Sequence, residues 1–120
     1  MRSALAVLVI LGCAAAMPQP REIVLRDGAG SAEGQLRGRQ HRRYSLQLTA
    51  KAVTIDVIVE PMRSAVVELY DPEGGRVLLD KEAAGRWTAP VPKPGHYSLV
   101  FARAVPSAPV SYYRLRITAH

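Results

Sequence analysis

Val53, Ile55, Val57 and Val59 recur at every second position, with Thr54 and Asp56 between them and Glu60 after them. A repeat of two is that of an extended strand with one face toward a core and one toward water. The same beat returns at Tyr44–Thr49. It returns again at Tyr97, Leu99 and Phe101, and at Tyr113, Leu115 and Ile117. In the last run Tyr112, Arg114, Arg116 and Thr118 take the other face. Ile58 is an apolar exception among the polar positions of its run. After the first twenty residues no stretch carries a long helical period, which excludes a helix bundle.

Turn chemistry separates these runs. Asp71-Pro72-Glu73-Gly74-Gly75 combines an Asp that can bond its own backbone, a Pro that fixes φ and glycines that tolerate positive φ. Pro61 closes the Val53 run, because proline gives no hydrogen to a ladder. Ala50-Lys51 is read as a hairpin turn, and Pro92, Pro94 and Gly95 break the chain before His96. Ala65–Tyr70, Arg76–Asp80 and Arg86–Pro90 read as further strands. Glu22–Leu25 and Gln35–Gly38 are weaker ones, with a Gly-rich loop over Asp27–Gly34. Lys81–Gly85 is too short for a stable helix and reads as a loop. Seven to eight short strands at regular spacing predict an all-β fold, an antiparallel β-sandwich of jelly-roll-like type. Its core would be built on the alternating apolar residues, with Trp87 and Tyr97 the largest.

The first residues read as an address. Arg2 precedes the unbroken apolar run Ala4–Leu11, and small residues and two prolines follow. That is the pattern of a secretory signal peptide, and the run is shorter than the roughly 20 residues a spanning helix needs. Residues 1–16 are assigned as the signal peptide, 17–33 as linker and lead-in strand, and 34–120 as the sandwich domain. Ile10-Leu11-Gly12-Cys13 also resembles a lipobox, which makes 1–12 an alternative lipoprotein leader and Cys13 a candidate lipidation site. Cys13 is the single cysteine, so no disulfide holds the domain. The expected location is the periplasm or the medium, with outer-membrane lipoprotein as the alternative.

Few constellations carry chemistry. His41, His96 and His120 are scattered, without metal-ligand spacing, and no cofactor is expected. Gly28, Gly30 and Gly34 echo a phosphate loop but lack the helix that must follow one. Asp56, Glu60, Glu68 and Asp80 would need to face one another across a cleft to act as acid and base, and an enzyme is not expected. The densest charge is Arg37, Arg39, His41, Arg42 and Arg43, within a sequence of net charge +6. Arginine forms paired contacts with carboxylate and phosphate groups. The segment is therefore a candidate site for an acidic protein, an anionic glycan or lipopolysaccharide. Nucleic acid is not expected, given the leader. Tyr70, Trp87 and Tyr112 are assigned to packing rather than to a carbohydrate platform.

The order of motifs resembles the bacterial pre-peptidase C-terminal domain. The residues that carry the resemblance are Gly38 before Tyr44-Ser45-Leu46-Gln47-Leu48, then Val53–Val59, then Leu69-Tyr70-Asp71-Pro72-Glu73-Gly74. Trp87, Pro92-Lys93-Pro94-Gly95-His96-Tyr97-Ser98-Leu99 and Tyr113-Arg114-Leu115-Arg116-Ile117 complete it. The resemblance covers residues 34–118. It implies a sandwich without a catalytic centre of its own, serving as an accessory or stand-alone binding module. The stand-alone members it implies include periplasmic inhibitors of goose-type lysozyme. Those carry a longer, Arg-rich loop before the last strand, where this chain has Ala102–Ser111 with Arg103 alone basic. Calcium binding, found in some members, would need about six to eight oxygens; Asp71 and Glu73 fall short of that.

Overall fold

A computed structural model describes residues 21–49, 51–61, 65–104 and 109–120. The leader with Cys13, and residues 105–108 of the loop before the last strand, lie outside these residues. The described chain forms ten strands: β1 (Arg21–Ile23), β2 (Ala29–Arg37), β3 (His41–Leu48), β4 (Ala52–Glu60) and β5 (Ala65–Tyr70), then β6 (Arg76–Val77), β7 (Asp80–Ala83), β8 (Arg86–Pro90), β9 (Gly95–Arg103) and β10 (Val110–Ala119). Two five-stranded sheets result, one in the order β1-β3-β9-β5-β6 and one in the order β2-β10-β4-β8-β7. We call these sheets A and B. All pairings are antiparallel except β1 with β3. The fold is therefore an all-β sandwich, as the alternation predicts.

The period-2 residues form the space between the sheets. Val53, Ile55, Val57 and Val59 of β4 meet Leu46, Leu48, Leu69, Leu99 and Phe101 across it, and all are buried. Full burial of one such side chain is worth about 1.5–3 kcal/mol, so the core can stand without a cross-link. Tyr97 is fully buried, and its hydroxyl donates to the Lys93 carbonyl at 2.7 Å, which satisfies the one polar group it takes inside. Trp87 is also buried, with the Lys81 ammonium 5.9 Å above its ring.

The structure differs from the sequence reading in four segments. The Gly-rich stretch read as a loop is most of β2, paired residue by residue with β10 from Ala29 to Arg37. Lys81–Gly85 holds most of β7, which pairs with β8. The run Arg76–Asp80 is not one strand: Arg76–Val77 pairs in sheet A, and the chain then crosses to start β7 in sheet B at Asp80. Nor do β3 and β4 form a hairpin, because they lie in opposite sheets. Ala50 of that expected turn lies outside the described residues.

The Asp71–Gly75 turn forms as its composition predicts. The Asp71 Oδ1 accepts the backbone N–H groups of Glu73 and Gly75, each at 2.8 Å. Beside it Lys93 pairs with Glu73, and that hydrogen bond raises the Lys93 pKa.

Candidate functional site

The five residues of the basic segment are not presented together. Residues 38–40 form the crossing from sheet B to sheet A, between Arg37 at the end of β2 and His41 at the start of β3. Alternation then sends neighbours to opposite sides. Arg42 shares its parity with the buried Tyr44 and Leu46, so it reaches back across the end of the sandwich. Its Nη2 donates to the Gln35 carbonyl at 2.7 Å, and its Nη1 to the His41 carbonyl at 3.3 Å. His41 and Arg43 point out from sheet A, and Arg37 and Arg39 are exposed at the corner.

A second arginine joins Arg42 as a clamp. Arg103, at the end of β9, is only 8% exposed. Its Nη1 donates to the Ser111 hydroxyl at 3.1 Å and its Nη2 to the Gly38 carbonyl at 2.5 Å. It ties the crossing at residues 38–40 to both sheets. Arg103, the one basic residue of the stretch Ala102–Ser111, thus ends β9 and serves the fold.

The titratable residues weighed for chemistry are dispersed. His41 and His96 lie toward opposite ends of the β3–β9 ladder, opposite Ala102 and Gln47. The third histidine, His120, shares a hydrogen bond with the Thr54 hydroxyl at 2.8 Å. Glu68 lies on sheet A, paired with Arg76 at 3.3 Å and accepting from the Tyr70 hydroxyl at 2.6 Å, a bond that raises the Tyr70 pKa. Asp56 is on sheet B, 2.7 Å from Arg86. Four residues separate Asp56 from Glu60 along β4, about 13 Å at the strand rise, beyond the roughly 5–9.5 Å between glycosidase carboxyl groups. Among the described residues no three His, Cys, Asp or Glu side chains gather to hold a metal ion.

A concave feature lies on the outer face of sheet B. It is a groove of about 750 Å³ across β2, β10 and β4. Register sets its floor. Gln35, Tyr112 and Glu60 form one row, and Glu33, Arg114 and Ile58 the next. Tyr112 is 59% exposed and Ile58 47%, an apolar diagonal amid polar groups. The Ala84–Gly85 turn supplies one wall. Val57 N–H donates to the Gly85 carbonyl at 2.8 Å, which fixes that turn beside β4. Glu33 and Arg114 pair loosely at 3.7 Å on the floor.

Tyr112 and Ile58 were legible as outward residues, and nothing in one strand alone showed that they meet. Of the three aromatics assigned to packing, Trp87 is core and Tyr70 half-buried over Glu68, but Tyr112 stands in the groove.

No family model and no curated protein matches the sequence. Solved structures do match. The pre-peptidase C-terminal domain of collagenase from Bacillus anthracis aligns with a TM-score of 0.63 at 18% identity, over 83% of this chain and 95% of that one. PliG from Aeromonas hydrophila, a periplasmic lysozyme inhibitor of g-type lysozyme, aligns with a TM-score of 0.59 at 14% identity, over 85% of this chain and 98% of that one. Its counterpart from Salmonella Typhimurium gives 0.56 at 18% identity, over 83% and 99%. The chain has the fold of the pre-peptidase C-terminal domain and of the g-type lysozyme inhibitors. The resemblance read from residues 34–118 is thus upheld at the level of the fold. In this chain the core fills the space between the sheets, so the groove and the arginine corner lie on an outer face and an edge.

Proposed function

We propose that this protein is an exported, non-enzymatic binding module of the bacterial cell envelope, periplasmic or secreted. The supporting observation is the match between a small sandwich and known stand-alone periplasmic inhibitors over nearly their whole length. A leader removed after Ala16 would deliver such a domain to the same compartment. Recognition rather than bond breaking also suits the surface: Asp56 and Glu68 lie on different sheets and are each paired with an arginine, and the groove floor mixes one aromatic ring with polar side chains. The exposed arginines 37, 39 and 43 with His41 form a corner suited to anionic groups of a protein or of an envelope glycan or lipopolysaccharide.

Co-sedimentation of the exported protein with washed cell-envelope material tests the proposal. The expected result is retention on the pellet with no release of soluble fragments. Absence of retention, or release of wall fragments by the pure protein, would overturn it.

Inhibition of g-type lysozyme is the second reading, favoured by the coverage of 98% and 99% of two such inhibitors. Loss of lysis in a turbidity assay with goose-type lysozyme supports it; unchanged lysis at excess protein removes it.

A further inference from the structure

We propose that the outer groove of sheet B is a binding site for an uncharged oligosaccharide, with the Tyr112 ring as its stacking platform. The inference rests on the binding-module reading and names its ligand class.

The floor centres on the inner strands β10 and β4 of sheet B, with the edge strand β2 beside them. β10 is paired on one side with β2 and on the other with β4, and β4 in turn with β8. The ladder groups of β10 and β4 are already used, and the open edge of β2 lies in the plane of the sheet, away from the floor, so a peptide lying over Tyr112 finds no free strand to extend. Recognition there must come from side chains. Those present are one exposed phenol ring, one exposed aliphatic side chain, two carboxylates, one amide and one guanidinium: Tyr112, Ile58, Glu33, Glu60, Gln35 and Arg114. A sugar ring offers an apolar C–H face to an aromatic platform and hydroxyls around its edge. Planar polar side chains disposed around one ring meet both. The hydroxyl of Tyr112 and the side-chain amide of Gln35 have no hydrogen-bond partner among the described residues, so both are open to such hydroxyls.

Charge decides the kind of sugar. Glu33 and Glu60 stand with Arg114 within the groove, and Arg37 lies outside its lining. The lining thus holds two carboxylates to one guanidinium, and no net cationic field holds an anionic chain. The volume of about 750 Å³ lies within the roughly 300–1,000 Å³ of ordinary ligand sites and suits a short oligomer rather than one ring. The Ala84–Gly85 wall limits the ligand on the β8 side.

A titration of the ¹⁵N-labelled protein followed by NMR tests this. The uncharged probes are the tetramers of N-acetylglucosamine and of α-1,4-linked glucose; the comparators are tetragalacturonate and an extended Gln/Lys peptide. The expected result is that an uncharged tetramer shifts the amide signals of residues 33–35, 58–60 and 112–114. Tyr112→Ala should weaken that binding by about tenfold or more, and Gln35→Ala by a smaller factor, while Tyr112→Phe keeps the stacking face and stays within about threefold. Both positions are exposed, and a retained unfolding midpoint confirms each fold. Absence of groove shifts with both uncharged tetramers, a stronger groove response to the acidic tetramer or the peptide, or wild-type affinity in Tyr112→Ala would each overturn the inference. Retention on envelope material with no response to sugars sinks this inference alone; loss of both sinks the binding-module reading too.

Discussion

Tyr113 lies flat across Gly34 and carries its hydroxyl to Tyr44 in the opposite sheet, 2.6 Å away. Phe101 stacks with Tyr44 and meets Tyr113 edge-on at 4.9 Å, so three rings and one hydrogen bond join the sheets. A Cβ at position 34 would lie 2.5 Å from the Tyr113 hydroxyl oxygen. Gly34→Ala should therefore destabilise the protein by about 1–3 kcal/mol, the usual cost of overpacking, read from the denaturant midpoint. Burial, and then the bond to Tyr113, push the Tyr44 pKa up to about 12. An unfolded tyrosine ionises near pH 10, so the neutral buried phenol contributes fully below about pH 10 and its contribution fades as pH rises toward about 12. The double variant Tyr44→Phe/Tyr113→Phe should flatten the fall of the unfolding midpoint over that window. An unchanged slope would refute the assignment. The arginines divide on the same logic of burial. Arg103→Ala removes charge-assisted bonds to Ser111 and Gly38 and should cost roughly 2–3 kcal/mol, whereas Arg39→Ala, at an exposed corner, should stay within about 0.5 kcal/mol.

At the scale of elements, the groove depends on a turn that no catalytic or binding motif announces. Gly85 adopts φ +79°, and a Cβ there would lie 2.8 Å from the Val57 carbonyl oxygen. Gly85→Val therefore strains both the backbone and the contact that holds the β7–β8 turn against β4. Faster amide exchange at Val57, with β3 and β9 unchanged, is the expected signature; equal exchange would show that the wall is not set by this glycine. The strands themselves differed in legibility for a physical reason. β3, β4, β9 and β10 bury branched and aromatic residues at every second position, and those residues announce a strand. β2 does the reverse. A Cβ at Gly30 would lie 2.7 Å from Ile23 Cγ2, and Gly34 makes room for Tyr113, so its small residues are the imprint of large partners elsewhere in the chain. β7 has all four residues exposed and thus no periodicity to read. The groove was half legible: Tyr112 and Arg114 were placed on the outer face of their strand, but only register brings Gln35, Glu60 and Ile58 beside them.

Across the whole molecule, charge and concavity are divided between two surfaces. The sequence carries a net charge of +6, and its densest basic run folds at the corner between β2 and β3, where Arg42 is held inward and Arg37, Arg39, His41 and Arg43 remain exposed. The groove mixes carboxylates with Arg114 and has no such excess. Two modes of attraction should therefore be separable by salt. Exposed charges are screened over about 10 Å at 0.1 M ionic strength and about 3 Å at 1 M, so retention of the protein on a heparin column should fall steeply between those concentrations. The Arg39→Ala/Arg43→Ala variant should elute earlier. Stacking on Tyr112 depends on apolar contact and short hydrogen bonds, which salt barely weakens, so sugar affinity should change little over the same range and be unaltered in the double arginine variant. Equal column retention of variant and wild type would show that the corner is only a solvated edge that discourages sheet-to-sheet association. Parallel loss of column retention and sugar binding in that variant would show instead that corner and groove act as one surface, with the arginines reaching the ligand from the open end of β2.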